Sequence, residues 1–338
     1  MRGAVLHAPG DVRIEQLPDP SIVEPTDAII RISATCVCGS DLWPYRGINE
    51  VPEPTPIGHE YCGVVEEVGP EVTSVRRGQF VIGSFIASDN TCPHCLAGYQ
   101  SACAHRVGMT GAKAELLRVP HADGTLVATA DQPDAALLPS LLTLSDVMGT
   151  GWFAAVAAGV QQGMTVAVVG DGAVGLLGVL SARQMGAERI IAMSRHEPRQ
   201  QLATEFGATD IVPERGDDAV ARIRDLTDGV GADAVLECVG TVEAMTQAIK
   251  STRPGGGVGF VGVPHGVSIP GGRLFSTMVR LHGGPAPVRR FLPDLIDATL
   301  RGEIDPGRVF DLDLPLDEVA EGYRAMDERR AVKAFLRP

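Results

Sequence analysis

The stretch VAVVGDGAVG, Val166–Gly175, decides the fold of the second half of the chain. It sets a short apolar strand directly before glycines in the spacing G-x-G-x-x-G, and a helix-forming run follows. Such a strand-to-helix turn presents backbone N–H groups and the positive end of a helix dipole to a pyrophosphate. The stretch therefore predicts a dinucleotide site whose phosphate-binding residues are Gly170, Gly172, Ala173, Val174 and Gly175.

Strand-like and helix-like runs alternate on both sides of this turn, over residues 165–263. The run RIIAMS (189–194) predicts a second strand, and EPRQQLATEFG (197–207) predicts the helix after it. Near the end of this region, TVEAMTQAIKSTRPGG (241–256) predicts a helix and GVGFVGV (257–263) a strand. Regular alternation of this kind indicates a doubly wound parallel sheet.

Residues 1–145 have a different sequence pattern, which predicts a β-rich domain. The runs DAIIRISAT (27–35), YCGVVEEVG (61–69) and GQFVIGSF (78–85) are short, rich in β-branched residues and separated by Gly, Pro and Asp. After residue 284, two helical runs and a strand-like run follow. The fold class expected from the sequence is therefore α/β, with a β-rich domain and a doubly wound domain.

Composition limits the classes of function. A chain of 338 residues is too long for one typical core, so we expect two domains. The formal net charge of −13 opposes binding to a nucleic-acid backbone. No run approaches the roughly 20 apolar residues of a membrane span, and the N-terminal run has no signal-peptide core. We expect a cytoplasmic protein with a small-molecule partner, no nucleic acid and no membrane.

The residues after the second strand indicate which nicotinamide cofactor is bound. A site for NAD usually places Asp or Glu there, on the ribose hydroxyls, whereas an Arg accommodates a 2′-phosphate. Here the residues are Ser194, Arg195 and His196. We therefore expect NADP(H). The alternative is that Arg195 is a solvated surface charge and that either cofactor is used.

Soft ligands in the first domain predict metal sites. Cys38 in TCVCGSDLW and His59 in IGHEYCG are ligand types that suit zinc. A catalytic zinc needs a third protein ligand, and Asp146 in SLLTLSDVMGTGW is a candidate that spacing alone does not select. Three more cysteines follow the spacing C-x2-C-x7-C in TCPHCLAGYQSAC (91–103), which favours a second metal whose fourth ligand is open.

In their order along the chain, CGSD, GHE, the glycine motif and SDVMGTGW resemble the zinc-dependent medium-chain alcohol dehydrogenases. The resemblance covers essentially the whole chain and is greatest to the bacterial NADP-dependent secondary-alcohol dehydrogenase and carbonyl reductase branch. It implies a GroES-like catalytic domain over residues 1–148 and a Rossmann NADP-binding domain over residues 149–284. Residues 285–338 would return to the catalytic domain.

The resemblance also implies roles for individual residues. Cys38, His59 and Asp146 match the catalytic zinc ligands, and Glu60 matches a nearby or transient ligand. The family's fourth structural ligand falls three residues before Cys92, at Asp89, with His94 and His105 as rivals. The resemblance implies a structural zinc held by Asp89, Cys92, Cys95 and Cys103. It implies that Asp41 orients the zinc-bound imidazole, that Ser40 belongs to the proton relay and that Thr150 lies beside the nicotinamide. The residues that would contact the cofactor are Val239, Gly262 and Val263.

Bulky apolar residues near these motifs are candidates for the substrate pocket: Trp43, Phe85, Ile86, Trp152 and Phe153. An apolar pocket favours aliphatic or aryl secondary alcohols and ketones. The relay histidine that some relatives carry after the zinc cysteine is replaced here by LWPY (42–45), and Phe153 stands where close relatives often have histidine.

The expected function is a zinc-dependent transfer of a hydride between NADP(H) and an alcohol and ketone pair. The alternatives are a polyol or amino-alcohol dehydrogenase, a zinc-free quinone reductase, and a non-catalytic NADPH-binding protein. The resemblance further implies a homodimer or homotetramer, in which the segment GGGVGFVGVP (255–264) pairs with another copy.

Overall fold

The computed structural model describes residues 1–51 and 54–338. The chain forms two compact units. Unit 1 comprises residues 1–149 and 287–338, and unit 2 comprises residues 150–286.

The strands are, in chain order, β1 (Arg2–Ala8), β2 (Asp11–Gln16), β3 (Ala28–Cys36), β4 (Thr55–Pro56), β5 (Tyr61–Val68), β6 (Phe80–Gly83), β7 (Ile86–Ala87), β8 (Val107–Gly108), β9 (Leu116–Val119), β10 (Leu126–Ala128), β11 (Thr165–Val169), β12 (Arg189–Met193), β13 (Asp210–Ile211), β14 (Ala232–Glu237), β15 (Thr252–Phe260), β16 (Arg280–Gly283), β17 (Leu312–Pro315) and β18 (Ala334–Arg337). The α-helices are α1 (Leu42–Tyr45), α2 (Pro93–Leu96), α3 (Ala122–Thr125), α4 (Leu138–Thr143), α5 (Val147–Ala158), α6 (Ala173–Gln184), α7 (Glu197–Phe206), α8 (Gly216–Leu226), α9 (Val242–Ser251), α10 (Gly271–Thr277), α11 (Val288–Leu300) and α12 (Val319–Asp327).

Unit 1 is built on a sheet in the order β10-β6-β5-β3-β18-β17, with β9 also paired to β3. Strand β18 comes from the C-terminal end of the chain and pairs antiparallel with β3 and parallel with β17. Its residues Phe335 and Leu336 are buried in unit 1. The last residues of the chain therefore complete the sheet that carries the first metal-ligand candidates.

Unit 2 is a parallel sheet in the order β13-β12-β11-β14-β15-β16. Strand β11 is a buried apolar strand, as its run of valines predicts. Because the strands are parallel, their carboxyl ends lie at one edge, where the order reverses on either side of β11 and nucleotides bind in such folds. The predicted α/β class, with a β-rich domain and a doubly wound domain, is confirmed.

Two predictions about the end of this sheet are wrong. The helix predicted over 241–256 ends at Ser251, and β15 begins at Thr252. Pro254 lacks an N–H and disfavours helical geometry at the residue before it, so the chain is extended there. The segment 255–264 is near the edge of the sheet, as predicted, but β15 already pairs with β14 and β16, so the segment is not free to supply a pairing strand and β16 is the edge strand.

Within the described residues no single helix is long and apolar enough to cross a membrane, although Ala135–Thr143 and Val147–Ala158 pass that test together as a pair bent by 41°.

The substitution Leu336→Ala should lower the free energy of unfolding of unit 1 by about 2–5 kcal/mol, because it removes a fully buried side chain and leaves a cavity. Trp43 fluorescence during urea denaturation, in a Trp152→Phe background, would report unit 1. The matched control is Leu300→Ala, which removes the same side chain from a site that is 42% exposed and should cost under about 0.5 kcal/mol. Equal losses in both variants would contradict the position of β18 in the sheet.

Candidate active site

Three segments of unit 1 bring the first set of ligand candidates together. Cys38 begins a 3-10 turn directly after β3, and its N–H donates to the Asp41 carboxylate over 2.9 Å. His59 lies just before β5, and Asp146 lies between α4 and α5. Cys38 and Asp146 are buried, and His59 is mostly so. Together with Glu60, these side chains form the Cys38 cluster, in which one ligand atom of each lies within 4.8 Å of all the others.

The distances inside this cluster fit a tetrahedral zinc site. Cys38 Sγ lies 3.6 Å from Asp146 Oδ2, and His59 Nε2 lies 3.3 Å from the same oxygen. With ordinary zinc bond lengths and tetrahedral angles, a sulfur and an oxygen ligand are separated by about 3.6 Å and a nitrogen and an oxygen ligand by about 3.4 Å. Both distances to Asp146 therefore match those that a zinc ion requires, and the ligand atoms of Cys38 and His59 lie within 4.8 Å of each other.

The other side of the His59 ring faces a buried ion pair. Nδ1 of His59 lies 3.4 Å from Asp41 Oδ1, so that Nε2 is the nitrogen on the side of Asp146. The second oxygen of Asp41 accepts a 2.6 Å hydrogen bond from the Lys113 ammonium. A carboxylate on the far nitrogen of a metal-binding histidine fixes its tautomer and its ring orientation.

Glu60 is held by a second buried lysine. Its Oε1 accepts a 2.7 Å hydrogen bond from Lys333 Nζ, which also donates to the carbonyl of Val37. Its Oε2 is buried and has no hydrogen-bond partner among the described residues. A buried carboxylate oxygen without a hydrogen-bond partner destabilises the folded protein, because it has lost its hydration. A cation in the cluster would compensate for that loss.

The charges in the cluster favour a cation. Burial alone would lower the pKa of His59, but Asp41, Asp146 and Cys38 outweigh it and raise that pKa well above its ordinary value. Burial, followed by the negative charge of Glu60, raises the pKa of the Cys38 thiol. Both shifts arise because anionic groups crowd a poorly solvated space, and a divalent ion would neutralise them.

A second set of ligand candidates, which we call the Cys92 cluster, consists of Asp89, Cys92, Cys95 and Cys103, all with ligand atoms within 4.8 Å of one another. The sulfur of Cys92 lies 3.6 Å from that of Cys95 and 3.9 Å from that of Cys103. Two thiolates on one tetrahedral zinc are about 3.8 Å apart. The cluster thus has the donors and the spacing of a closed structural site.

Asp89 is arranged to remain ionised in this cluster. Its Oδ1 accepts hydrogen bonds from the N–H groups of Thr91 and Cys92, and its Oδ2 lies 2.7 Å from Nδ1 of His105. Burial opposes ionisation, but these contacts outweigh it and hold the pKa of Asp89 well below its usual range. Backbone N–H groups, first that of Ala104, lower the pKa of Cys92 to about 7. Both rival histidines are exposed, and His105 contacts the Asp89 carboxylate.

In unit 2, the glycine motif forms a tight turn. A side chain at Gly175 would place its Cβ 2.0 Å from the carbonyl oxygen of Gly170, so only glycine lets α6 start there. At Gly172 the corresponding position is open, as a close approach by phosphate requires. The loops after β14 and β15 meet beside this turn, because Val239 contacts Gly170, and Gly240 lies directly against Gly262.

At the end of β12 the structure adds a carboxylate that the sequence prediction did not weigh. The buried Ser194 hydroxyl donates a 2.7 Å hydrogen bond to Asp171, which lies inside the glycine motif. Arg199 pairs with the other oxygen of Asp171 at 3.4 Å. Arg195 and His196 are exposed. The region of the predicted 2′-phosphate thus carries the guanidinium groups of Arg195 and Arg199 together with the acids Asp171 and Glu197.

The remaining predicted residues fall into both units. Ser40 lies half-buried in the 3-10 turn between Cys38 and Asp41, and the Phe85 ring lies edge-on to His59 with 6.2 Å between centroids. Trp43 and Ile86 are half-buried in unit 1. In unit 2, Thr150, Trp152 and Phe153 lie in α5, with Phe153 buried and its ring edge-on to His282.

Sequence reasoning missed four charged residues that the structure places at these sites: Lys113, Asp171, Glu237 and Lys333. Glu237 is the buried last residue of β14 and accepts hydrogen bonds from the N–H groups of Val239 and Gly240, which shapes the loop after the strand. The two lysines could have been recognised from the sequence, because each lies among mostly apolar residues, in GAKAEL and in AVKAFL. A charge in such a run indicates a buried partner.

Comparison with known proteins agrees with this architecture. Residues 24–130 match the alcohol dehydrogenase GroES-like domain, and residues 173–286 match the zinc-binding dehydrogenase domain. A probable zinc-binding alcohol dehydrogenase of Mycobacterium tuberculosis is 36% identical over all of this chain and 89% of its own length. The zinc-type alcohol dehydrogenase B of Aspergillus flavus is 32% identical over all of this chain and 81% of its own length.

Among solved structures, the alcohol dehydrogenase TADH of Thermus sp. ATN1 matches with a TM-score of 0.92 and 30% identity, covering 100% of this chain and 99% of that one. The fold and the matched domains define a two-domain zinc-binding dehydrogenase. The chain belongs to the zinc-dependent medium-chain alcohol dehydrogenase family, as its motifs indicated, and it is an oxidoreductase of the zinc-type alcohol dehydrogenase class.

Metal analysis should find two zinc ions per chain, and Cys38→Ala should remove one of them, because it deletes a thiolate from the Cys38 cluster. Cys62→Ala is the matched control, since Cys62 is a fully buried thiol outside both clusters and should leave the zinc content unchanged. A folded Cys38→Ala protein that still holds two zinc ions would contradict this ligand set.

Asp89→Ala should weaken zinc binding at the Cys92 cluster far more than His105→Ala, because the histidine contacts the metal ligand and not the metal. Removal of a partner of a ligand costs about 10–100-fold in metal affinity. Competition with a chelator would measure both variants. If His105→Ala proved the more damaging change, the histidine would be the fourth ligand.

Proposed function

We propose that this protein transfers a hydride between NADP(H) and an alcohol and ketone pair at a zinc ion held by Cys38, His59 and Asp146. The observation that carries the proposal is the tetrahedral spacing of these three side chains in a buried, negatively charged cluster. Three protein ligands leave the open position that a catalytic zinc keeps for substrate. Membership of the alcohol dehydrogenase family supports the same reaction class.

Zinc supplies Lewis acidity, which lowers the pKa of an alcohol, and the nicotinamide ring supplies the hydride acceptor. The chain's own residues orient these groups and move the proton. Asp41 fixes the His59 ring so that Nε2 is available for the metal. Ser40, in the turn next to Cys38, is the proposed first acceptor of the substrate proton.

Glu60 supports the proposal in a different way. Its Oε2 has no hydrogen-bond partner among the described residues, while Lys333 holds Oε1. This arrangement leaves one carboxylate oxygen for the metal and suits the role of a nearby or transient ligand. The second zinc, in the Cys92 cluster, has four protein donors, and its proposed role is structural because no position remains open.

The proposed substrates are aliphatic or aryl secondary alcohols and the corresponding ketones. The apolar Phe85 ring beside His59 supports this choice, because a polyol would need polar groups at the same distance from the metal. Trp43, Ile86, Trp152 and Phe153 remain the other proposed lining residues. A homodimer or homotetramer also remains part of the proposal.

The choice of NADP(H) rests on charge at the end of β12. Arg195 and Arg199 bring two guanidinium groups there, and none of the three residues between β12 and α7 is acidic. Asp171 is a nearby carboxylate, and its pairing with Arg199 and Ser194 partly neutralises it, while Glu197 begins α7. A guanidinium that binds the 2′-phosphate would select NADPH over NADH.

Purified protein should oxidise 1-phenylethanol and 2-butanol with NADP⁺, reduce acetophenone with NADPH, and lose both activities after zinc removal by a chelator. Zinc added back should restore them. Cys38→Ala should abolish turnover, whereas Cys62→Ala should keep it. Turnover that persists when metal analysis shows no zinc would contradict the mechanism, and turnover only with polyols would contradict the substrate class.

Arg195→Leu should lower the ratio of kcat/KM for NADPH to that for NADH by about 10–100-fold, as expected for loss of one charge-assisted hydrogen bond. The matched control is Arg222→Leu, which removes an exposed guanidinium from α8 of the same unit. Asp171→Asn should raise the ratio, because it deletes the acid near the 2′-phosphate. If Asp171 instead binds the ribose hydroxyls, wild-type protein will prefer NADH and this variant will weaken NADH selectively.

A further inference from the structure

The fully buried Lys113 has no role in the proposed reaction, yet its ammonium group lies two contacts away from the metal ligands. Its Nζ donates to Asp41 Oδ2 over 2.6 Å and lies 5.3 Å from the centroid of the buried Tyr323 ring. Asp41 in turn contacts His59 and the backbone N–H of Cys38. The lysine therefore reaches the surroundings of two of the three proposed ligands through a single carboxylate.

The backbone brings Lys113 to this position directly. The N–H of Lys113 donates to the carbonyl of Ile57, and the N–H of Ala112 donates to the carbonyl of Gly58. A side chain at Gly58 would place its Cβ 2.6 Å from Cγ of Lys113, and Gly58 has a φ of +104°, which favours glycine. The lysine stem thus lies against the backbone of the residue that immediately precedes His59.

Stability alone does not account for a lysine here. A buried ion pair usually contributes no more than apolar side chains of the same volume, because both charges lose their hydration. Without Lys113, however, the Asp41 carboxylate would keep its contacts with Cys38 and His59 but would lose its one lysine partner, which donates to the same oxygen, Oδ2, as the N–H of Cys38. The charge of Asp41 would also remain buried without compensation.

We propose that Lys113 is a positioning residue of the metal centre, which holds Asp41 in place so that His59 presents Nε2 to the metal. This inference rests on the proposed function, since it takes Cys38, His59 and Asp146 as the ligands of that metal. Lys113 acts on the metal only through Asp41, so its effect should disappear when Asp41 can no longer hold a charge.

The test is a double-mutant cycle in the full chain with Co²⁺ as the probe, comparing Lys113→Met, Asp41→Asn and the double variant. Competition with a chelator would give the Co²⁺ affinity, and the visible absorption spectrum would report the ligand geometry. Cys38→Ala identifies the signal of the Cys38 cluster, and the Cys92 cluster is an internal control. Lys250→Met is the matched control, because Lys250 pairs with the exposed Asp217 in unit 2.

Lys113→Met should weaken Co²⁺ binding at the Cys38 cluster by about 10–100-fold, alter its spectrum and lower kcat, with KM for the nicotinamide cofactor unchanged. The Cys92 cluster should keep its affinity. In the Asp41→Asn background the same change should alter the Co²⁺ affinity by under about twofold, because the two residues act as one unit. Wild-type affinity, spectrum and kcat in a folded Lys113→Met protein would overturn the proposal.

If Lys113→Met does not fold, the comparison of Asp41→Asn with the double variant decides, since the double variant removes both charges of the buried pair. The proposal is overturned if the double variant binds Co²⁺ as wild type does, or more than about tenfold more weakly than Asp41→Asn alone. A wild-type protein that shows no Co²⁺ signal dependent on Cys38 would instead contradict the proposed function, which separates the two failures.

Discussion

The burial of charge around the Cys38 cluster is the constraint on which unit 1 depends. Four potential anions lie in poorly solvated surroundings there, and two fully buried lysines lie against them. The groups concerned are Cys38, Asp41, Glu60, Asp146, Lys113 and Lys333. Each lysine pairs with one carboxylate, which leaves Cys38 and Asp146 as the acidic groups of the cluster that no lysine contacts among the described residues. A metal bound as proposed would therefore add charge compensation to the apolar clusters of unit 1.

The topology of the chain places both buried lysines next to the carboxylates of the Cys38 cluster and its surroundings. Lys333 directly precedes β18, and the pairing of β18 with β3 brings its ammonium to Glu60 from the far end of the sequence. Lys113 arrives by a separate route, through backbone hydrogen bonds to Ile57 and Gly58. Residues 287–338 are therefore part of the metal-binding unit, although the nucleotide-binding unit separates them from the rest of it along the chain.

The sequence predicted much of this because some constraints are local. The glycine motif requires particular residue types at fixed spacing, and the valines of β11 report burial on both faces. Asp146 was identified by family resemblance, since its distance in sequence from Cys38 contains no geometric information. The two lysines and Asp171 were missed because their roles depend on partners far away in sequence, at Asp41, Glu60 and Ser194. Pro254 carried the signal that ends α9, which helical periodicity concealed.

The most direct test of the account is an anomalous diffraction map recorded at the zinc absorption edge from crystals of the purified protein. We predict one peak bonded to Cys38 Sγ, His59 Nε2 and Asp146, at about 2.0–2.3 Å from each, and a second peak inside the Cys92 cluster. No anomalous peak among Cys38, His59 and Asp146, in protein that turns over an alcohol, would contradict the central claim.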